Sequence, residues 1–263
     1  MANEKFKRRR IALLSAEKKT PEPKSLRLKR FILLGVAVAL IVSIGVRIWQ
    51  ENLLDNPAKT EMSTREIRCN GQNVVVRSPG HAEAMLACEG ARDAIGFLAS
   101  QGLDVTGDIT IELLTRLPAF VSSSAAGCYL ESEQRVLILV YFKFREFETW
   151  FGIPIDRSLY RSLVSHEVAH LVAHCNFKIP KPTIQAKEYI AYVTQFSTME
   201  PVLRERVLLH FPCAAFEGDW QMGTTIYMFD CMSFGARAYR HFVKMENGRD
   251  YLHAIIDGKA LVD

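Results

Sequence analysis

The sequence has 263 residues, 49% of them hydrophobic, which is enough apolar material for one sizeable core or at most two. Its net charge of +4 is unevenly placed: residues 1–30 hold eleven Lys/Arg against three Asp/Glu, and the remainder holds 22 against 26. The basic pI of 8.7 therefore belongs to a tail, and the composition gives no case for a nucleic-acid-binding domain.

That tail (1–30), with Pro21 and Pro23, reads as a disordered cytoplasmic segment. Phe31 to Val46 is an uncharged apolar run of sixteen residues, followed by Arg47 and Trp49. A membrane-crossing helix needs roughly 20 residues; Arg47 can snorkel and Trp49 suits the interface, so residues 31–49 are expected to span. Lys24, Arg27, Lys29 and Arg30 precede the run and place the N-terminus in the cytoplasm. No small-residue cleavage site follows, so the expectation is an uncleaved single-pass anchor in the inner (cytoplasmic) membrane. Residues 50–66 read as a polar linker, and 67–263 as a periplasmic, or otherwise extracytoplasmic, domain. All six cysteines (Cys69, Cys88, Cys128, Cys175, Cys213 and Cys231) lie beyond the span, an even count that reads as disulfides in an oxidising compartment.

Within the domain, residues 73–77 read as a strand closed by Ser78-Pro79-Gly80, and 81–101 as a helix with a stripe of small residues. Residues 108–114 alternate as a strand does, and 127–130 with 135–141 suggest a hairpin. The near-continuous apolar run RVLILVY asks for a central or well-covered position. Helical patterns follow at 156–175, from Thr183, from about Ser197 with Pro201 in the first turn, at 231–245 and at 249–257. Strands first and helices second is an α+β order.

Residues 165–171 read Ser-His-Glu-Val-Ala-His-Leu. Four apart on a helix, His166 and His170 share a face and can reach one zinc ion. Glu167 beside them can take a proton from the attacking water and pass it to the leaving group. This is the H-E-x-x-H pattern of zinc metalloproteases, set here in an apolar helix with Leu159, Leu163, Val164, Val168, Leu171 and Val172 toward the core. A catalytic zinc needs a third protein ligand. The extended histidine pattern is not met, since Asn176 stands at its third-histidine position, and His174 is a full turn too far along. Glu188, eighteen residues after His170, fits better: the loop 176–182 lets the next helix fold back and bring that carboxylate to the histidine pair.

H166-E-V-A-H170 followed by E188-Y-I-A-Y192 resembles the gluzincin metallopeptidases, in particular the peptidase MA-like group. The resemblance implies zinc held by His166, His170 and Glu188, with Glu167 as general base. It also implies a small mixed sheet, whose edge strand binds extended peptide, packed on the motif helix. The match covers about 30 residues, and it departs from the group at Tyr189, where glycine is usual. The expected activity is a membrane-anchored zinc metallopeptidase acting on peptide or protein substrates. The alternatives are a non-catalytic tethered binding module, or a zinc hydrolase of a non-peptide amide. Tyr189, Tyr192, Tyr227, His210 and His241 are all open as donors to a developing oxyanion.

Overall fold

The computed structural model describes residues 64–262. The basic tail, the expected span 31–49 and almost all of the linker lie outside the described residues. Among those described, no helix is long and apolar enough to cross a membrane.

The chain is α+β, with a mixed sheet followed by helices. Strand β1 (Arg65–Arg68) and β2 (Val74–Ser78) lead into helix α1 (His81–Ser100), then β3 (Ile109–Leu114), β4 (Gly127–Leu130) and β5 (Arg135–Leu139). The five strands lie in the order β1-β2-β3-β5-β4. β2, β3 and β5 run parallel, and β1 and β4 are antiparallel edges. β5 is thus an interior strand, which explains its unbroken apolar run: Val136, Leu137, Ile138 and Leu139 are all buried. β1 begins inside the segment read as linker; three of its four residues are charged and exposed and Ile67 alone is apolar, so it carries no alternating apolar signal.

Period-two alternation sets the two faces of the sheet. Val74, Val76, Ile109, Ile111, Leu113, Val136 and Ile138 are buried in the core. On the opposite face Glu112 accepts from Arg77 at 3.0 Å and from Arg135 at 2.7 Å, an opposite-charge ladder across three strands.

The second half holds α2 (Tyr141–Phe144), the short hairpin β6–β7 (Thr149–Trp150, Ile153–Pro154) and α3 (Arg157–Asn176). Then come α4 (Ile184–Thr198), α5 (Pro201–His210), α6 (Thr224–Phe229), α7 (Cys231–Lys244) and α8 (Gly248–Ile256). The expected helix from about Ser197 starts instead at Pro201. Proline disfavours helical backbone in the residue before it, and Glu200 is extended, so α4 stops at Thr198 and a new helix begins. The β6–β7 turn is Phe151-Gly152, both with positive φ (53° and 70°). A left-handed Phe costs energy, and burial against Tyr192, Phe196 and Phe211 offsets it.

α3 is the central helix, packed between α1 and α4. The α1 stripe of Ala84, Ala87, Gly90, Ala91 and Ala94 is fully buried and lets the two backbones approach. At Gly90 an added Cβ would lie 2.6 Å from the Arg161 carbonyl and 2.8 Å from Val164 Cβ. Ser165 Oγ donates to the Gly90 carbonyl at 2.9 Å, and Arg161 Nε to Asp93 at 2.6 Å, which fixes the register of this crossing.

One disulfide, Cys69–Cys88, ties the β1–β2 turn to α1. The expectation that all six cysteines pair fails: Cys128, Cys175, Cys213 and Cys231 are free thiols. Pairing requires Cα atoms within about 7 Å, which an even count in sequence does not report.

Two stability measurements follow. Gly90→Ala is expected to destabilise by about 1–3 kcal/mol through overpacking. Gly96→Ala, with nothing within 4 Å of the new methyl, is expected to stabilise by up to about 1 kcal/mol. Denaturant melts check the pair, and equal effects at both sites would sink the close-approach account. Removing the 19-residue cross-link by Cys69→Ser with Cys88→Ser is expected to cost about 3 kcal/mol in the same assay.

Candidate metal centre

Local chemistry fixes α3 before any ligand is considered. The Asp156 carboxylate caps its N-terminus by accepting from the Leu159 amide at 2.8 Å. The Tyr160 hydroxyl donates to the Leu139 carbonyl at 2.9 Å, tying α3 to the end of β5. Leu159, Leu163, Val164, Val168, Leu171 and Val172 are all buried, as the spacing predicts. Asn176 does not face the histidine pair. Its amide donates to the Val172 and Asp104 carbonyls and closes the helix end.

Thr183 begins α4 by accepting from the Ala186 amide, while its hydroxyl donates to the Leu261 carbonyl at 2.6 Å. Glu188 faces His166 and His170, and Gln195, further along, donates to Ser162. The order of those contacts shows α4 running antiparallel to α3. Tyr189, the departure from the usual glycine, turns away from this face: it is fully buried and its hydroxyl bonds His241 Nδ1 at 2.7 Å.

The three donors converge. His166 Nε2 and His170 Nε2 are 3.2 Å apart, and Glu188 Oε2 and Oε1 lie 3.5 and 3.6 Å from them. Bonds of about 2.0–2.1 Å at tetrahedral angles would separate neighbouring donors by about 3.3 Å. Among the described residues this is the group of His, Cys, Asp or Glu placed to hold a metal ion.

Electrostatics point the same way. Burial draws the His170 imidazole down to about 4 despite Glu188. Burial also works against a charged His166, but Glu188 and Glu167 outweigh it and the group is raised. Glu188 is held below the usual carboxylate range: its burial is outweighed by His170, His166 and Tyr227. Glu167 is buried and raised to about 7, chiefly by desolvation. It sits against the edge strand, where an added Cβ at Gly127 would meet its side chain at 2.7–2.9 Å. Only glycine lets that carboxyl lie on the β4 backbone.

All of these groups line a cavity of about 440 Å³. Of the oxyanion candidates, Tyr192 and Tyr227 line it. Tyr192 stands edge-on to His166 with ring centres 4.6 Å apart, and Tyr227 lies beside Glu188. Tyr189 and His241 are engaged with each other, and His210 packs over Gly152. His174 packs against Tyr129, ring centres 5.5 Å apart, as a packing residue should.

A family model described as "Family of unknown function (DUF6639)" matches residues 74–263. The chain belongs to DUF6639. No curated protein and no solved structure matches it. The DUF6639 match begins at β2 and takes in both helices that carry the convergent donors, the edge strand β4 and the glycine beneath Glu167. Four contributors in this DUF6639 domain were not legible beforehand: Gly127, Gln195, the Glu131–Lys187 ion pair and helix α6, which carries Tyr227. A glycine opening a strand and a six-residue helix leave no periodic signal to find.

A divalent transition metal added to chelator-treated protein should raise its Tm, since a ligand that binds only the folded state stabilises it. His170→Ala and Glu188→Ala should each abolish the rise and lose the metal from purified protein by elemental analysis. Retention of full metal content in both would sink this donor set.

Proposed function

We propose that this protein is a zinc-dependent hydrolase of peptide bonds, anchored by residues 31–49 in the cytoplasmic membrane with its domain on the far side. The observation that carries the reading is the joining of three convergent donors to a fourth group, the acidic Glu167, which lies in the same cavity but outside the donor set. Two histidines and one glutamate are a known catalytic zinc set, and the donor separations fit it. Glu188 Oε2 is buried and makes no hydrogen bond of ordinary geometry, as suits an oxygen turned toward a cation. The Cys69–Cys88 disulfide suits an oxidising compartment.

Zinc in such a set polarises a carbonyl and makes water a nucleophile near neutral pH. The protein's share is positional. Glu167, pressed on Gly127, takes the proton of the attacking water at its carboxylate and passes it to the leaving amine. Burial raises its proton affinity above that of an ordinary carboxylate, which suits a group that must accept a proton and return it. Tyr227 and Tyr192, which line the same cavity, are the candidates to donate to the developing oxyanion.

Glu167→Gln should keep the metal and the Tm yet lower peptide hydrolysis by at least about 10²-fold. Full activity in that variant would overturn the assignment of the base. Gly127→Ala should shift the carboxyl and cut kcat by about ten- to a hundredfold with metal content unchanged.

A further inference from the structure

The cavity is lined differently on the two sides of the candidate metal. Its wall follows α3 from Leu163 to Phe177, about 21 Å at the helical rise. An extended peptide covers that length with about six residues. His166 and His170 fall inside this stretch, so the groove continues on both sides of the candidate metal. β4 runs alongside in the same direction, with Gly127 at Glu167 and Tyr129 at His174.

Beyond His166 the lining brings together Leu163, Trp150 and Tyr192, with Gln195 directed to Ser162, and the segment before β4 adds Ser122 and Ser124. Trp150 is held there by the β6–β7 hairpin and by Phe144 and Phe147, with ring centres 5.3 and 5.8 Å away. Beyond His170 the lining carries Glu131 and Lys187, which form an ion pair with each other. A protein that trims chain ends needs an unpaired charge to seize the terminal ammonium or carboxylate. Apart from the donors and Glu167, the Asp, Glu, Lys, Arg and His side chains lining this cavity are that mutually satisfied pair and His174, which packs on the Tyr129 ring.

We infer that the groove takes unstructured peptide through its middle and cuts internal bonds next to a large apolar side chain, which fills the Leu163–Trp150–Tyr192 end. This rests on the peptidase reading above and extends it to endopeptidase action with a side-chain preference.

The test uses the full-length protein in detergent with zinc, and peptides of about ten residues spanning the groove. Each is made with free or blocked termini and with Phe or Ser at the centre. The Glu167→Gln protein reports Kd by calorimetry, and the unsubstituted protein reports cleavage by mass spectrometry. Blocking both ends is expected to leave Kd and cutting unchanged. Phe→Ser at the centre is expected to weaken binding by roughly ten- to a hundredfold. Trp150→Ala should erase that preference. Leu163→Phe, which narrows the same end without emptying it, should shift the preference toward smaller side chains, and it stands in if Trp150→Ala does not fold. Loss of binding on blocking the ends, or release of terminal residues only, overturns the inference while leaving the peptidase reading intact. Equal affinity for Phe and Ser overturns the side-chain preference alone. Metal-loaded protein that neither binds nor cuts any of these peptides overturns both.

Discussion

Two imidazoles and a carboxylate held 3.2–3.6 Å apart inside a protein form an unstable arrangement by themselves. Burial opposes charge on each group, and their polar atoms face one another. The protein splits the conflict unevenly, with His166 pushed up, His170 drawn down and Glu188 held ionised. A cation at the common point would satisfy all three at once and reverse the local preference for protons. Everything else in the domain serves to keep those donors from relaxing away.

That service is mainly a matter of small side chains. α3 can carry two buried ligands only if its back is rigid, and Gly90 and the alanines of α1 let it seat against α1 at backbone distance. On the opposite side Ala186 and Ala191 are buried in α4. Gly235 of α7 lies so close to the Tyr192 ring that a Cβ there would fall within 2.5–2.9 Å of it. Gly127 does the same for Glu167 on the sheet side. Close packing of this kind transmits strain instead of absorbing it, so the geometry of the donors is fixed by positions that never touch them.

The departure from the gluzincin-like pattern at Tyr189 has a physical place in this frame. The ring points into the core formed with His241 and Tyr251, away from the donor face, so the bulk of the side chain does not fill the cavity. The glycine usual at that position is replaced by a buried anchor for α7 and α8. The free thiols carry a related lesson. Cys128 and Cys231 both line the cavity, and the fold leaves them unpaired, whereas Cys69 and Cys88 meet because a tight turn and a helix bring them together.

The sequence by itself determined the α+β order, the motif helix with its apolar face, and the candidate positions His166, His170, Glu188 and Glu167. These follow from periodicity and from side-chain chemistry at fixed spacing, which act over one or two helical turns. Contacts distant in sequence were beyond that reach. Only the tertiary structure decided the strand order, the breaking of α4 from α5 at Pro201, the single disulfide, and the placing of Gly127, Tyr227 and Trp150 around the site. Each of these depends on how separate elements come to rest against each other. A polar edge strand, a two-residue turn or a glycine beneath a carboxyl has no local pattern, and its role exists only once the facing element is in place.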